Sequence, residues 1–143
     1  MKYYFFDTSA LVKRYIIETG SNWVNRVIAD VDTNHTISRL TESEVSAALT
    51  RRLESRIAQQ LLQNFDQDLA QFYTRLAITD QSIDEAVSLT RRYRLLGCDA
   101  IQLATVLQVA AAEPSTIFVC ADTELLSAAS ALGLVVENPE VHP

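Results

Sequence analysis

A chain of 143 residues, 48% of them apolar, is long enough for one domain with a sizeable buried core. Three glycines and three prolines favour helices joined by short connections and argue against a β-sandwich or a disordered chain. The formal charge of −6 argues against a non-specific nucleic-acid binder, which needs Lys and Arg for phosphate. Net charge does not locate charge, however, and carboxylates gathered for a cation inflate the negative total.

Residues 2–6 (KYYFF) predict a buried strand, because the run is short, aromatic and uncharged after Lys2. Asp7-Thr8-Ser9 supplies capping chemistry for a helix over residues 10–17. Gly20 breaks that helix, and Ser21 can cap another over 22–29, where Trp23, Val24, Val27 and Ile28 share a face. Residues 35–39 (HTISR) predict a second strand. Thr41 opens a T-x-x-E capping box with Glu44, starting a helix to about residue 53. The helical period of Leu61, Leu62, Phe65, Leu69 and Phe72 predicts a long helix over 57–75. A very short strand follows at 76–78, then a helix capped by Asp80.

Gly97 interrupts, and residues 99–112 predict an alanine-rich helix buried on more than one side. Residues 116–120 (TIFVC) are continuously apolar, as in a central parallel strand. A helix over 122–131, a C-cap at Gly133 and a strand at 134–136 complete the chain. Residues 1–137 are expected to form the domain, and 138–143 (NPEVHP) a loose C-terminal tail. Strands alternate with helices, which predicts a single α/β domain with a mostly parallel sheet flanked by helices on both faces.

Cys98 and Cys120 form no CxxC pair and no Cys/His cluster, which argues against zinc and fits reduced thiols in the cytoplasm. The apolar run at 3–6 ends at Asp7, too soon for a signal peptide. No stretch approaches the roughly 20 apolar residues of a membrane span. No phosphate-binding glycine loop and no nucleophile elbow occurs.

Three acids occupy special places. Asp7 directly follows a strand, Asp122 follows another, and Asp99 opens a buried helix. Ligands in open α/β sheets collect at the carboxyl ends of strands, near the switch in strand order. Each acid also has a plain reading as a helix cap. Glu44 borders the apolar stripe of Val45, Ala48 and Leu49, whereas Glu42 falls further toward solvent, so Glu44 is the fourth candidate. Four converging carboxylates repel unless a cation lies between them, and oxygen-only ligands select Mg²⁺ or Mn²⁺. Such ions serve hydrolysis of phosphodiesters by metal-activated water. Arg91, Arg92 and Arg94, then Arg51 and Arg52, then Lys13 and Arg14, are candidate phosphate contacts or simply solvated faces.

The segments FFDTSALVKRY (5–15), SEVSAAL (43–49), LLGCDAIQLATV (95–106) and FVCADTELLSAASALGL (118–134) resemble those of PIN-domain ribonucleases, specifically the VapC toxins of toxin–antitoxin pairs. The resemblance spans essentially the whole chain. It implies a PIN-like α/β/α sandwich with a parallel sheet of about five strands. It also implies Asp7, Glu44, Asp99 and Asp122 as ligands of Mg²⁺ or Mn²⁺, with Ser9 beside them as a holder of a carboxylate or water. RNA as substrate, a cognate antitoxin protein and a homodimer follow from the same resemblance. Two positions depart from the family pattern: Cys98 stands where an aromatic is frequent, and Gln102 where a His is frequent. A catalytically silent binding module of this fold and a nuclease acting on DNA are the alternative readings.

Overall fold

A computed structural model describes residues 1–143. Five parallel strands form one sheet: β1 (Lys2–Phe6), β2 (Thr33–Ser38), β3 (Tyr73–Leu76), β4 (Ile117–Val119) and β5 (Val135–Glu137), in the order β3-β2-β1-β4-β5. Seven α-helices flank it: α1 (Thr8–Leu11), α2 (Ser21–Ala29), α3 (Arg39–Arg52), α4 (Ser55–Gln71), α5 (Asp80–Tyr93), α6 (Gly97–Ala112) and α7 (Thr123–Ala131). The aromatic β1 is central because both its faces are covered. Tyr4 and Phe6 point into a core made with Ala10, Leu11, Val24, Ile28, Val45, Leu49 and Phe65. Phe5 points the other way, to Phe118, Leu89, Leu103, Val106 and Leu125. The strand period of two thus divides α1–α4 from α5–α7 across the sheet.

The chain winds outward from β1 to β2 and β3, then returns to place β4 against the other edge of β1. The strand order therefore reverses between β1 and β4. A crevice outside the carboxyl ends of these two strands is where such a sheet binds ligands.

Several boundaries and caps differ from the sequence expectation; Thr79, not Asp80, caps α5, and Gly20, not Ser21, holds the N-cap position of α2. The first helix is one turn, continued by a 3₁₀ turn over Val12–Arg14 instead of running to residue 17. The helix expected to start at Thr41 starts at Arg39, because Ser38 at the end of β2 takes the cap and accepts from the Thr41 amide. Glu44 consequently lies in the second turn, and the T-x-x-E capping box does not form. The long helix ends at Gln71, and Tyr73–Leu76, not 76–78, is the third strand, aligned His35 to Tyr73 through Ser38 to Leu76. Tyr73 enters the sheet opposite His35, and its buried hydroxyl meets that of Tyr15 at 2.8 Å.

The C-terminal residues are docked, not loose. Pro139–Val141 form a 3₁₀ turn, and Pro139 is buried beside Gly20. Glu140 reaches Lys13, and the His142 ring stacks on Trp23 at 4.7 Å. No single helix is long and apolar enough to cross a membrane.

Candidate active site

Asp7 leaves β1 into the switch crevice. Its amide donates to the Val119 carbonyl at 2.9 Å, which ties the end of β1 to the end of β4. Its side chain is buried, with 4% exposed. Ser9 holds it there: the Ser9 hydroxyl donates to Asp7 Oδ2 at 2.6 Å, and the Ser9 amide donates to the same oxygen at 3.1 Å. The Ser9 oxygen also accepts from the Ala121 amide at 2.9 Å, and the Cys120 thiol donates to Asp7 Oδ2 at 3.6 Å. One serine thereby joins the two loops that follow β1 and β4. Asp7, not Ser9, is the N-cap of α1.

Glu44 comes to the crevice from α3. The Thr8 hydroxyl donates to Glu44 Oε1 at 2.7 Å. Beneath this pair sits Gln102, 1% exposed. Its Nε2 donates to Thr41 Oγ1 at 2.5 Å and to Thr8 Oγ1 at 3.4 Å, while its Oε1 accepts from Ser38 at 2.7 Å. Glu42, the rival acid, faces elsewhere: Arg39 lies 2.7 Å from it, and Arg75 grips it through both carboxylate oxygens.

Asp99 stands in the first turn of α6, where the N-cap position belongs to Leu96 and makes no side-chain bond. The capping role is therefore not what Asp99 does. Asp122 does cap: its Oδ1 accepts from the Glu124 and Leu125 amides at 2.9 and 3.1 Å, which leaves Oδ2 free of that duty. The neighbouring Glu124, unremarked in the sequence, adds its charge to the same region.

Electrostatics show how crowded this corner is. Burial foremost, then the charges of Asp7, Asp122, Glu44 and Glu124, push the Asp99 carboxyl up to about 6. Burial raises Asp7 against the opposing effect of Ser9, and burial plus the Asp7 charge raise Glu44 despite Thr8. Burial, with Glu44 and Asp99, raises the exposed Cys98 thiol beside them. None of Asp7, Glu44, Asp99, Asp122 and Glu124 has a Lys, Arg or His within ion-pair distance. Elsewhere acids are paired, as Asp68 is with Arg14 and Glu18 with Lys13 and Arg52. Uncompensated carboxylates at a strand switch are costly unless a cation joins them. As a donor set, hard oxygens with no sulfur or imidazole fit Mg²⁺ or Mn²⁺. No three of the acidic, His or Cys side chains converge tightly enough to form a ready metal cage. The arrangement is an open, acid-lined crevice.

The model of the PIN domain matches residues 4–130. The chain belongs to the PIN domain family. A comparison with curated proteins finds no match. Among solved structures, FitAcB from Neisseria gonorrhoeae superposes with a TM-score of 0.69 at 17% identity, covering 95% of this chain and 97% of that one. VapC20 of Mycobacterium tuberculosis, described as a Sarcin-Ricin loop cleaving toxin, gives 0.69 at 19% identity over 92% and 96%. VapBC2 from Rickettsia felis, bound to a promoter DNA fragment, gives 0.67 at 15% identity over 95% and 98%. At these identities the likeness to each is one of fold.

The basic candidates of this PIN domain separate clearly. Lys13 is buried between Glu18 and Glu140, and Arg14 is spent on Asp68, so neither serves phosphate. Arg52 pairs with Glu18. Arg91, Arg92 and Arg94, at the end of α5, have no acidic partner and are exposed. The sequence marks Thr8 and Thr41 only as capping residues and Cys120 only as a free thiol, and it does not single out Glu124. Thr8 and Thr41 carried ordinary capping signals, and only their contacts with Gln102 and Glu44 reveal another use.

Proposed function

We propose that this PIN domain is a divalent-metal-dependent endoribonuclease and the toxin of a toxin–antitoxin pair. The observation that carries the proposal is the set of acids without cation partners at the switch between β1 and β4. Asp7, Glu44, Asp99 and Asp122 would hold Mg²⁺ or Mn²⁺. Such an ion, when bound, activates water and neutralises charge on a phosphodiester. The chain's own residues prepare the place: Ser9 and Cys120 fix Asp7, and Thr8 fixes Glu44. The overall reaction consumes one water and leaves two RNA fragments.

RNA as substrate is supported by the likeness to VapC20, a Sarcin-Ricin loop cleaving toxin. A partner antitoxin protein is supported by the likeness to VapBC2 and to a toxin–antitoxin complex from Klebsiella pneumoniae. We extend the reading to a homodimer and to the cytoplasm, where both free cysteines stay reduced.

Purified protein, free of antitoxin, is incubated with total RNA and Mg²⁺ or Mn²⁺, with EDTA and Asp99→Asn controls. Discrete cleavage lost in both controls is expected. Cleavage that persists in EDTA or in Asp7→Asn sinks the metal assignment. The open spacing of the acids also suits a silent binding module of this fold, which predicts no cleavage of any RNA. A parallel digest of single-stranded DNA separates ribonuclease from deoxyribonuclease.

A further inference from the structure

A polar cleft of about 560 Å³ opens next to the acid crevice, between the end of α5 and the outer face of α7. Tyr93 and Arg94 form one wall, and Thr123, Glu124 and Ser127 the other. Thr123 and Glu124 follow Asp122 directly, and the Glu124 charge is felt at Asp99, which puts the cleft beside the acid crevice. At its α5 side stands Arg94, exposed and unpaired. Arg94 is also the only non-glycine residue with positive φ, at 57°. It ends α5 in the left-handed conformation that glycine adopts freely and that side chains occupy at a cost.

We propose that this cleft is a substrate subsite that holds the nucleotide next to the scissile phosphate, with Arg94 on its phosphate. The inference rests on the nuclease reading above and names where the substrate strand leaves the crevice. Three chemistries converge on a single-stranded nucleotide. The Arg94 guanidinium meets a phosphate in fork geometry. The half-buried Tyr93 ring, already carrying Arg92 at 5.1 Å on its face, offers an aromatic wall to a base. The Thr123 and Ser127 hydroxyls, one helical turn apart on α7, are placed for sugar and base oxygens. Glu124, the one acid on the wall, lies at the crevice end of α7 and leaves the Arg94 side cationic.

Arg94→Gly tests this cleanly, because glycine relieves the backbone while deleting the cation. The variant is expected to unfold at a temperature no lower than the parent. Binding is measured by fluorescence anisotropy with a labelled random-sequence single-stranded RNA of about 12 nucleotides, in an Asp99→Asn background so that the RNA survives. Arg94→Gly is expected to weaken binding on the order of fivefold and to flatten the log–log salt dependence by about 0.7, the signature of one lost single-strand phosphate contact. Ser127→Glu, which fills the cleft with an anion at an exposed helix position, is expected to weaken binding as well. Arg26→Ala, an exposed cation on the opposite side of the sheet, is the control and is expected to change nothing. Parent-like affinity and slope in Arg94→Gly, an equal loss in Arg26→Ala, or no binding by the parent overturns the subsite. Cleavage of total RNA is scored separately. A cleaving parent with an unaffected Arg94→Gly rejects the subsite alone, whereas Arg94-dependent binding without any cleavage rejects the nuclease reading alone.

Discussion

Gln102 Nε2 and Thr41 Oγ1 lie 2.5 Å apart beneath the acid crevice, and that contact links the buried second turn of α6 to α3. Gln102 also reaches Ser38 at the end of β2 and Thr8 in α1, so four elements meet at one amide. Thr8 in turn donates to Glu44. With Gln102 fixing Thr41 and Thr8, the Thr8 proton is left for Glu44. The residue in the position where the PIN family often carries His is thus an internal brace, out of reach of substrate.

Replacing Gln102 with Leu leaves the Ser38 and Thr41 hydroxyls without their buried partner, which costs about 1–3 kcal/mol. At about 3 °C per kcal/mol, the melting temperature is expected to fall by roughly 3–9 °C. The Mn²⁺ affinity, read by calorimetry, is expected to fall about 10-fold, as for other losses behind a metal ligand. Thr8→Val, which deletes the donor to Glu44 from a partly exposed site, is expected to reproduce the affinity loss with little change in melting. Unaltered Mn²⁺ affinity in both variants would remove Gln102 and Thr8 from any positioning role.

Much of this arrangement was legible in the sequence, and the reasons are local. β1 and β4 are continuous apolar runs, so the positions of Asp7 and Asp122 just beyond them could be read directly. Gly97 and the alanine-rich stretch marked α6, and with it Asp99. The choice of Glu44 over Glu42 came from the apolar stripe, and Val45 and Leu49 are indeed fully buried. What escaped were features fixed by distant partners. Tyr73–Leu76 is four residues long, too short to display alternation, and the helical period of α4 runs straight into it. Ser38 displaced Thr41 as cap because the end of β2 arrives first, freeing the Thr41 hydroxyl for Gln102. The docked C-terminus depends on Gly20 and Trp23, more than a hundred residues away.

The crowded acids predict a pH dependence of stability in the absence of divalent metal. The folded-state carboxyl of Asp99, at about 6, binds its proton more tightly than in the unfolded chain. Its favourable contribution is therefore complete below the unfolded value, near 4, and is lost as pH rises through about 6. Asp7 and Glu44 are shifted in the same direction and add to the trend. In EDTA, Asp99→Asn is expected to melt higher than the parent at about pH 7.5, by about 3 °C, from roughly 1 kcal/mol after solvent screening. The gain should vanish near pH 4, where both chains are neutral at this position. Added Mg²⁺ is expected to raise the parent and not the variant. An Asp99→Asn chain no more stable than the parent at either pH would contradict the crowding.

Glu42 and Glu44 offer a comparison within one helix. Glu42 is held by Arg39 and Arg75 on the outer face of α3, and Glu44 is held only by Thr8 inside the crevice. Glu42 is not turned to solvent as the sequence suggested, its side chain being only 14% exposed beneath the two arginines; Glu42→Gln breaks both pairs and is expected to cost about 1–2 kcal/mol, with RNA cleavage and its Mg²⁺ dependence unchanged. Glu44→Gln removes a negative charge from the acid cluster. It is expected to preserve or slightly raise the melting temperature in EDTA and to lower cleavage by about 100-fold at fixed Mg²⁺. The opposite pattern, with Glu42→Gln inactive and Glu44→Gln active, would reassign the fourth acid.

The C-terminal residues close the protein on the side of α2, and their removal tests how much they contribute. Pro139 covers Gly20, whose φ of 91° and whose missing side chain let the two backbones touch: a Cβ there would lie 2.5 Å from the Pro139 oxygen. Lys13, 3% exposed, has its ammonium 3.2 Å from Glu18 and 3.3 Å from Glu140, so truncation strips one of its two anions. His142 stacks nearly flat on Trp23 and pairs with Glu137 at 2.8 Å. A chain ending at Glu137 would expose the Trp23 face and half-satisfy a buried ammonium, a loss of about 3 kcal/mol. The melting temperature is expected to fall by about 8 °C, measured by circular dichroism against the full chain. Gly20→Ala, which keeps the tail residues in the chain but displaces them from their seat, is expected to give a comparable drop. Asp7 and Glu44 keep their Ser9 and Thr8 partners without the tail, so Mn²⁺ affinity below the lowered transition should be that of the full chain. An unchanged melting temperature in the truncated chain would show that these contacts add nothing to the fold.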